Sequence, residues 1–178
     1  VRGLAWTSVG GDTLQIEVNV MPGKGVLQMT GQMGDVMKES AQIALTYVRS
    51  VASDYGVKEN YFEKHDIHLH IPEGAVPKDG PSAGITMATA MLSAVTGRKV
   101  LPRVAMTGEV TLRGHVLMIG GLKEKLLAAR MAQVEKVLVP AKNQPDVEEL
   151  SKEITKGMEI VYIKEMNEVI REAFVPEK

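Results

Sequence analysis

Pro77-Lys78-Asp79-Gly80-Pro81-Ser82-Ala83-Gly84 decides how the rest of this chain is read. One serine stands between proline and small residues, directly ahead of Ile85, Ala88, Leu92 and Val95, which recur at helical spacing. The pattern predicts a tight turn presenting the Ser82 hydroxyl at the first turn of a helix that ends at Thr96-Gly97. Backbone N–H groups at a helix start have no partner inside the helix, and the positive end of the helix dipole lies there as well. A serine in such a place suits attack on a carbonyl, because the negative charge that develops on oxygen meets those donors. The chain must then supply a base.

Outward from the loop, strands and helices alternate. Leu14, Ile16, Val18 and Val20 carry the two-residue period of a half-buried strand, and Met21 to Gly25 turns it into an expected hairpin partner at Val26–Thr30. Asp35 is placed to cap a helix running to about Asp54, with Gly56 as its stop. Asp66 to Ile71 reads as a strand. Val104 to Thr111 and His115 to Ile119 read as two more, joined by a turn around Gly114. Gly120-Gly121 opens a helix to about Gln133, followed by a short buried strand at Val137–Pro140. Asp146–Lys152 is helical, Ile160–Ile163 a strand, and Asn167–Phe174 a last helix. This alternation specifies an α/β, or mixed α+β, domain. At 178 residues without a long linker, residues 1–178 make one compact unit.

Composition removes several function classes. A net charge of −1 with scattered basic residues offers nothing to nucleic acid or an anionic membrane, and no apolar run is long enough to span a bilayer. Cysteine is absent, which excludes disulfides, thiolate metal sites and cysteine nucleophiles, and fits a reducing compartment. Eleven methionines read as flexible core filling.

Two kinds of base are on offer. Three of the four histidines lie in His65-Asp66-Ile67-His68-Leu69-His70, and on a strand Asp66, His68 and His70 share one face. A serine–histidine–aspartate arrangement is open to them, and a metal site less so, because a fourth ligand is not evident. The other candidate is a lysine of Gly120-Gly121-Leu122-Lys123-Glu124-Lys125-Leu126-Leu127-Ala128-Ala129. At about 100° per residue, Leu122, Leu126 and Ala129 form the buried stripe. Lys123 then falls on an exposed flank beside Arg130, and Lys125 falls with Gly121, Ala128 and Ala132. Small neighbours let another backbone approach and exclude water, which lowers a lysine pKa toward the range a base needs; the same spacing also fits two ordinary lysines at the solvent rim of the helix.

Together the serine loop and the Gly120–Ala129 segment resemble the proteolytic domain of the Lon proteases, in the branch found in bacteria and organelles. Gly3-Leu4-Ala5-Trp6-Thr7, His70-Ile71-Pro72-Glu73-Gly74-Ala75 and Ala105 to Gly114 carry the same resemblance, which runs from Gly3 to the last helix. It implies a fold similar to the ribosomal protein S5 domain 2-like fold. It also implies Ser82 as nucleophile, Lys125 as general base in a Ser-Lys dyad without histidine, and Thr107 as a residue orienting the lysine. Gly80 and Ser82 are then the candidate oxyanion donors, Asp79 shapes the loop or caps a helix, and Trp6 lines the substrate groove. Pro81 has no N–H to offer.

The resemblance further implies a serine endopeptidase that cleaves unfolded or misfolded chains, working in homo-hexamers in the bacterial cytoplasm, with the mitochondrial matrix as the lesser expectation. No G-x-x-x-x-G-K-[ST] loop is present, so ATP and Mg²⁺ are expected to act in a separate ATPase module that precedes this domain in the full-length protein, and no cofactor or metal within it. Two rival functions share the loop. One is a small-molecule kinase that cradles phosphate on a Gly/Ser loop, and the other a non-catalytic ring scaffold with no need of both Ser82 and Lys125.

Overall fold

The computed structural model describes residues 1–7, 10–72 and 78–177, excepting the side chains of Trp6 and Thr7. The chain runs β1 (Arg2–Thr7), β2 (Gly10–Gln15), β3 (Glu17–Pro22), β4 (Leu27–Thr30), α1 (Asp35–Val51), α2 (Tyr61–Lys64) and β5 (His65–His70). It continues through α3 (Gly84–Thr96), β6 (Val104–Met106), β7 (Glu109–Val110), β8 (Val116–Leu117), α4 (Leu122–Met131) and β9 (Lys136–Pro140). Short helices α5 (Gln144–Glu148) and α6 (Lys152–Thr155), strand β10 (Glu159–Ile163) and α7 (Met166–Ala173) complete it. The expected mixed α/β class is what the chain adopts.

Five strands form one sheet in the order β10-β9-β6-β1-β2, parallel except for the β1–β2 edge pair. Three more form a second sheet in the order β3-β5-β4. Helix α3 lies at the centre, every residue from Gly84 to Leu92 buried. A helix that is apolar on all sides belongs inside a core, and the one polar group Thr89 brings there donates to Ile85 O at 2.7 Å. Helix α1 packs along α3 with Met37, Ala41, Ala44 and Val48 inward. Helix α4 belongs to a separate apolar cluster with Leu4, Ala105, Val137 and Val139.

Three strand expectations change. The Leu14–Val20 run is not one strand: it breaks at Ile16 and passes from the first sheet to the second. Its expected hairpin with Val26–Thr30 does not form, because β5 is inserted between β3 and β4. Asp66, on β5, fastens the β3–β4 connection: its carboxylate accepts the N–H groups of Lys24, Gly25 and Val26 at 2.9, 3.0 and 2.9 Å. The Val104–Thr111 strand also splits, after Met106: Thr107 N–H keeps a bond to Leu138 O of β9, and Gly108 N–H turns to Ser82 O of the serine loop.

Candidate active site

The serine loop is tied down at four successive points. Lys78 bridges to the strand end before α1, with its N–H on Gln32 O at 2.9 Å, its carbonyl taking Gly34 N–H at 2.7 Å, and Nζ donating to Gly31 O at 2.9 Å. Asp79 accepts Met37 N–H at 2.9 Å, and bonds from Met37, Gly80 and Val36 hold its carboxyl below the ordinary carboxylate range. It therefore caps α1, not the helix that follows the serine. Pro81 O takes the hydroxyl of the buried Ser40 at 3.4 Å, and Ser82 O takes Gly108 N–H at 2.8 Å. Gly80, at φ +107°, makes the bend between these anchors.

Gly84 makes the next step possible. A Cβ there would stand 2.9 Å from Ser40 Oγ and 3.0 Å from Val110 N, so only glycine lets α3 start this close to α1 and β7. Ser82 consequently sits two residues ahead of the first helical residue, not within the first turn.

Lys125 comes from the other side. Helix α4 starts after Gly121, which adopts a left-handed φ of +68°, and its first turn lies on β2. Lys125 is 3 % exposed whereas Lys123 is exposed, the division the helical spacing predicted. Burial pulls the Lys125 pKa down to about 8. Its Nζ donates to Thr107 Oγ1 at 3.4 Å, and Thr107 Oγ1 donates in turn to Ser82 O at 3.5 Å. Thr107 itself is fully buried.

Ser82, Lys125, Asp79 and Pro81 line one cavity of about 800 Å³, with Leu4, Ala5, Leu14, Met37 and Ile119 among its apolar walls. The Gly80 N–H points at the Asp79 carboxylate, while that of Ser82 has no acceptor among the described residues. The Trp6 side chain and Pro77 lie outside the described residues, and the Trp6 backbone pairs with Gly11.

The histidines are elsewhere. His68 Nε2 and His70 Nδ1 both meet Thr30 Oγ1, at 2.9 and 2.6 Å, His65 bonds to Tyr61 O, and His115 pairs with Glu165. None lines the Ser82 cavity, so a serine–histidine–aspartate arrangement does not assemble.

Two polar residues that hold the site escaped the sequence reading. Asn143, fully buried, accepts Ile119 N–H at 2.9 Å and donates to Ile119 O at 2.8 Å and Asp146 Oδ2 at 2.7 Å. Nothing in Lys142-Asn143-Gln144-Pro145 points 24 residues back to Ile119. Ser40 did leave a signal, as a polar residue on the apolar stripe of α1 beside Met37, Ala41 and Ala44.

Comparison with known sequences identifies the family. The family of the Lon protease (S16) C-terminal proteolytic domain matches residues 1–176. Lon protease of Lachnoclostridium phytofermentans is 68% identical over 175 residues, 98% of this chain and 22% of the relative. Lon protease 1 of Bacillus subtilis is 55% identical over 178 residues, 100% of this chain and 23% of its own length. For Lon protease of Heliobacterium modesticaldum the figures are 58% over 173 residues, 97% and 21%. The chain spans 21 to 23% of the length of these relatives. It belongs to the Lon protease (S16) family, as a serine peptidase domain of the C-terminal proteolytic type.

Proposed function

We propose that this domain cleaves peptide bonds with Ser82 as nucleophile and Lys125 as general base. The observation that carries the reading is a lysine 3 % exposed, with a pKa pulled down to about 8, hydrogen-bonded to Thr107 on the cavity that also holds Ser82. A neutral Lys125 amine takes the Ser82 proton as Oγ attacks the substrate carbonyl, and returns it to the leaving amine. The acyl-enzyme ester is then hydrolysed by water that gives its proton to the same amine, which passes it to Ser82 Oγ as the ester bond breaks and the carboxylic product leaves. Thr107, bonded to Lys125 and to the Ser82 carbonyl, keeps the amine beside the serine. Such bonds run long in a free site and tighten when substrate binds. The Ser82 N–H is the donor best placed for the developing oxyanion.

The apolar walls of the cavity favour apolar side chains, which folded proteins keep inside, so unfolded or misfolded polypeptides are the proposed substrates. Extended segments that pair through their backbone would suit varied sequences. We extend the proposal to the whole protein: a homo-hexamer of the bacterial cytoplasm, in which a separate module uses ATP and Mg²⁺ to deliver chains to this site. The kinase alternative lacks chemical support, because the Asp79 carboxylate already takes the Gly80 N–H and would repel a phosphate.

A peptide boronate or fluorophosphonate tests the reading. It should modify Ser82 in the wild type, and neither Ser82→Ala nor Lys125→Gln should react. Labelling that persists in Lys125→Gln would remove the lysine from the mechanism.

A further inference from the structure

Strand β2 packs on the helix of Lys125 and carries a glycine against its first turn. A Cβ built on Gly11 falls 2.0 Å from Glu124 O, 2.5 Å from the Glu124 carbonyl carbon and 3.1 Å from Lys125 N. All three are backbone atoms of the first turn of α4, so no side-chain rotation relieves the overlap. A Cβ on the adjoining Gly10 would meet no described atom within 4 Å. Either α4 or β2 must retreat if Gly11 gains a side chain, and β2 is free to do so as the edge strand of its sheet.

Both movements act on Lys125. Its bond to Thr107 is already 3.4 Å, near the outer limit of a hydrogen bond, so a few tenths of an ångström break it. Among the described residues, the charged groups that share its cavity are Asp79 from the serine loop and Glu124 from α4 itself. On the strands beside it, Asp12 of β2 is exposed and Arg2 of β1 donates to Ala132 O beyond the far end of α4. Dryness, not a neighbouring charge, lowers the proton affinity of this amine.

We propose that Gly11 is a positioning residue for the base: its missing side chain lets β2 lie on the Glu124–Lys125 peptide, which sets the depth of Lys125 and its reach to Thr107. This rests on the reading of Lys125 as the general base. It assigns β2 a part in the chemistry that no functional group on the strand would suggest.

The test compares Gly11→Ala with wild type in the intact protein, using Asp12→Ala as an exposed control on the same strand. Two quantities are followed against pH: kcat for a short peptide, and trace acetylation of the Lys125 amine by acetic anhydride, read by mass spectrometry. In Gly11→Ala both midpoints should rise by about one pH unit, with kcat near neutral pH down about tenfold and KM little changed. Activity should return as the pH is raised, which a merely structural defect would not allow.

Unchanged midpoints in a folded Gly11→Ala overturn the proposal. A shifted acetylation midpoint with an unshifted kcat limb also overturns it as a statement about catalysis, and shows that Lys125 is not the base. A Gly11→Ala chain that does not fold is replaced by Gly11→Ala/Ile154→Ala, because Ile154 packs in the apolar cluster of α4 and its truncation gives that helix room to retreat. Unfolding of the double variant as well assigns Gly11 to the fold and overturns the proposal.

Discussion

The carboxylate of Asp79 accepts the N–H of Met37 at 2.9 Å, so the loop that carries Ser82 hangs from the first turn of α1. Helix α1 has no side-chain cap from Gly34 or from Asp35, the residue its own sequence offers for that role. Gly34 gives way to the incoming carboxylate: a Cβ there would stand 2.3 Å from Asp79 Cγ. One acid thus completes a helix start and fixes the shape of a loop 42 residues away.

Asp79→Ala should therefore loosen two places together. Amide exchange should quicken both at Val36–Met37 and across Lys78–Ala83, and acylation of Ser82 should slow. The backbone bonds stabilise the charged form, so the folded-state pKa lies below the ordinary 3.8. The contribution is complete above that value and is lost as pH falls through the lowered one. Asp79→Asn should keep part of the cap at every pH. Unchanged exchange at Met37 in Asp79→Ala would break the link between the two sites.

The base should appear as the acid limb of the pH–rate profile. With Lys125 near pKa 8, kcat/KM should rise about tenfold per pH unit below pH 8 and level off above it. Lys125→Arg should be inactive throughout, because a guanidinium does not give up its proton in this range. Thr107→Val should lower kcat by about 10-fold or more, and Thr107→Ser should restore most of it by returning the hydroxyl that Nζ meets.

The same burial makes Lys125 a cost to the fold. Its pKa is about 8 when folded and 10.5 as the reference value, so the unfolded chain binds more protons between the two and stability rises with pH across that window. Below pH 8 the full penalty applies, about 3 kcal/mol at 1.36 kcal/mol per unit. Lys125→Met should abolish activity yet raise Tm at pH 7, and the gain should fade as pH approaches 10.5. Thermal melts at pH 7 and pH 10 decide this, and a variant that melts lower than wild type at pH 7 would refute it.

The sequence made some of this legible and hid the rest for physical reasons. Periodicity is a local property, and it placed α1, α3, α4 and the sheltered flank of Lys125 correctly. The partner of a strand is not local. Asp66 looked like a companion of His68 and His70 on one strand face, yet its three bonds go to the Lys24–Val26 turn that links β3 to β4 across β5. Strand β1 went unread because Arg2–Thr7 lacks alternation: it pairs on both sides, and Leu4 is buried while its neighbours are mixed. The serine loop announced its chemistry, but its supports, Ser40 and Asn143, act across long separations that no spacing rule spans.

Asn143 gives the sharpest test of such a support. Its side chain completes both backbone groups of Ile119, which stands in the cavity wall two residues before Gly121, the N-cap of α4. Asn143→Ala leaves a buried N–H and a buried C=O unpaired, a loss of about 3 kcal/mol, which for a domain of this size lowers Tm by roughly 6–12 °C. Asn143→Asp keeps an acceptor for Ile119 N–H but loses the donor and sets a second carboxylate where Nδ2 now meets Asp146 Oδ2 at 2.7 Å. Burial and the like charge raise the new carboxyl's folded pKa. The proton is then held more tightly folded than unfolded, so Asn143→Asp should gain stability as pH falls and lose it as pH rises through that raised value. Melting curves of both variants from pH 5 to 8 separate the cases: Asn143→Ala should run parallel to wild type, and Asn143→Asp should diverge downward toward pH 8. If the two variants instead track one another, Asn143 fills space rather than holding Ile119.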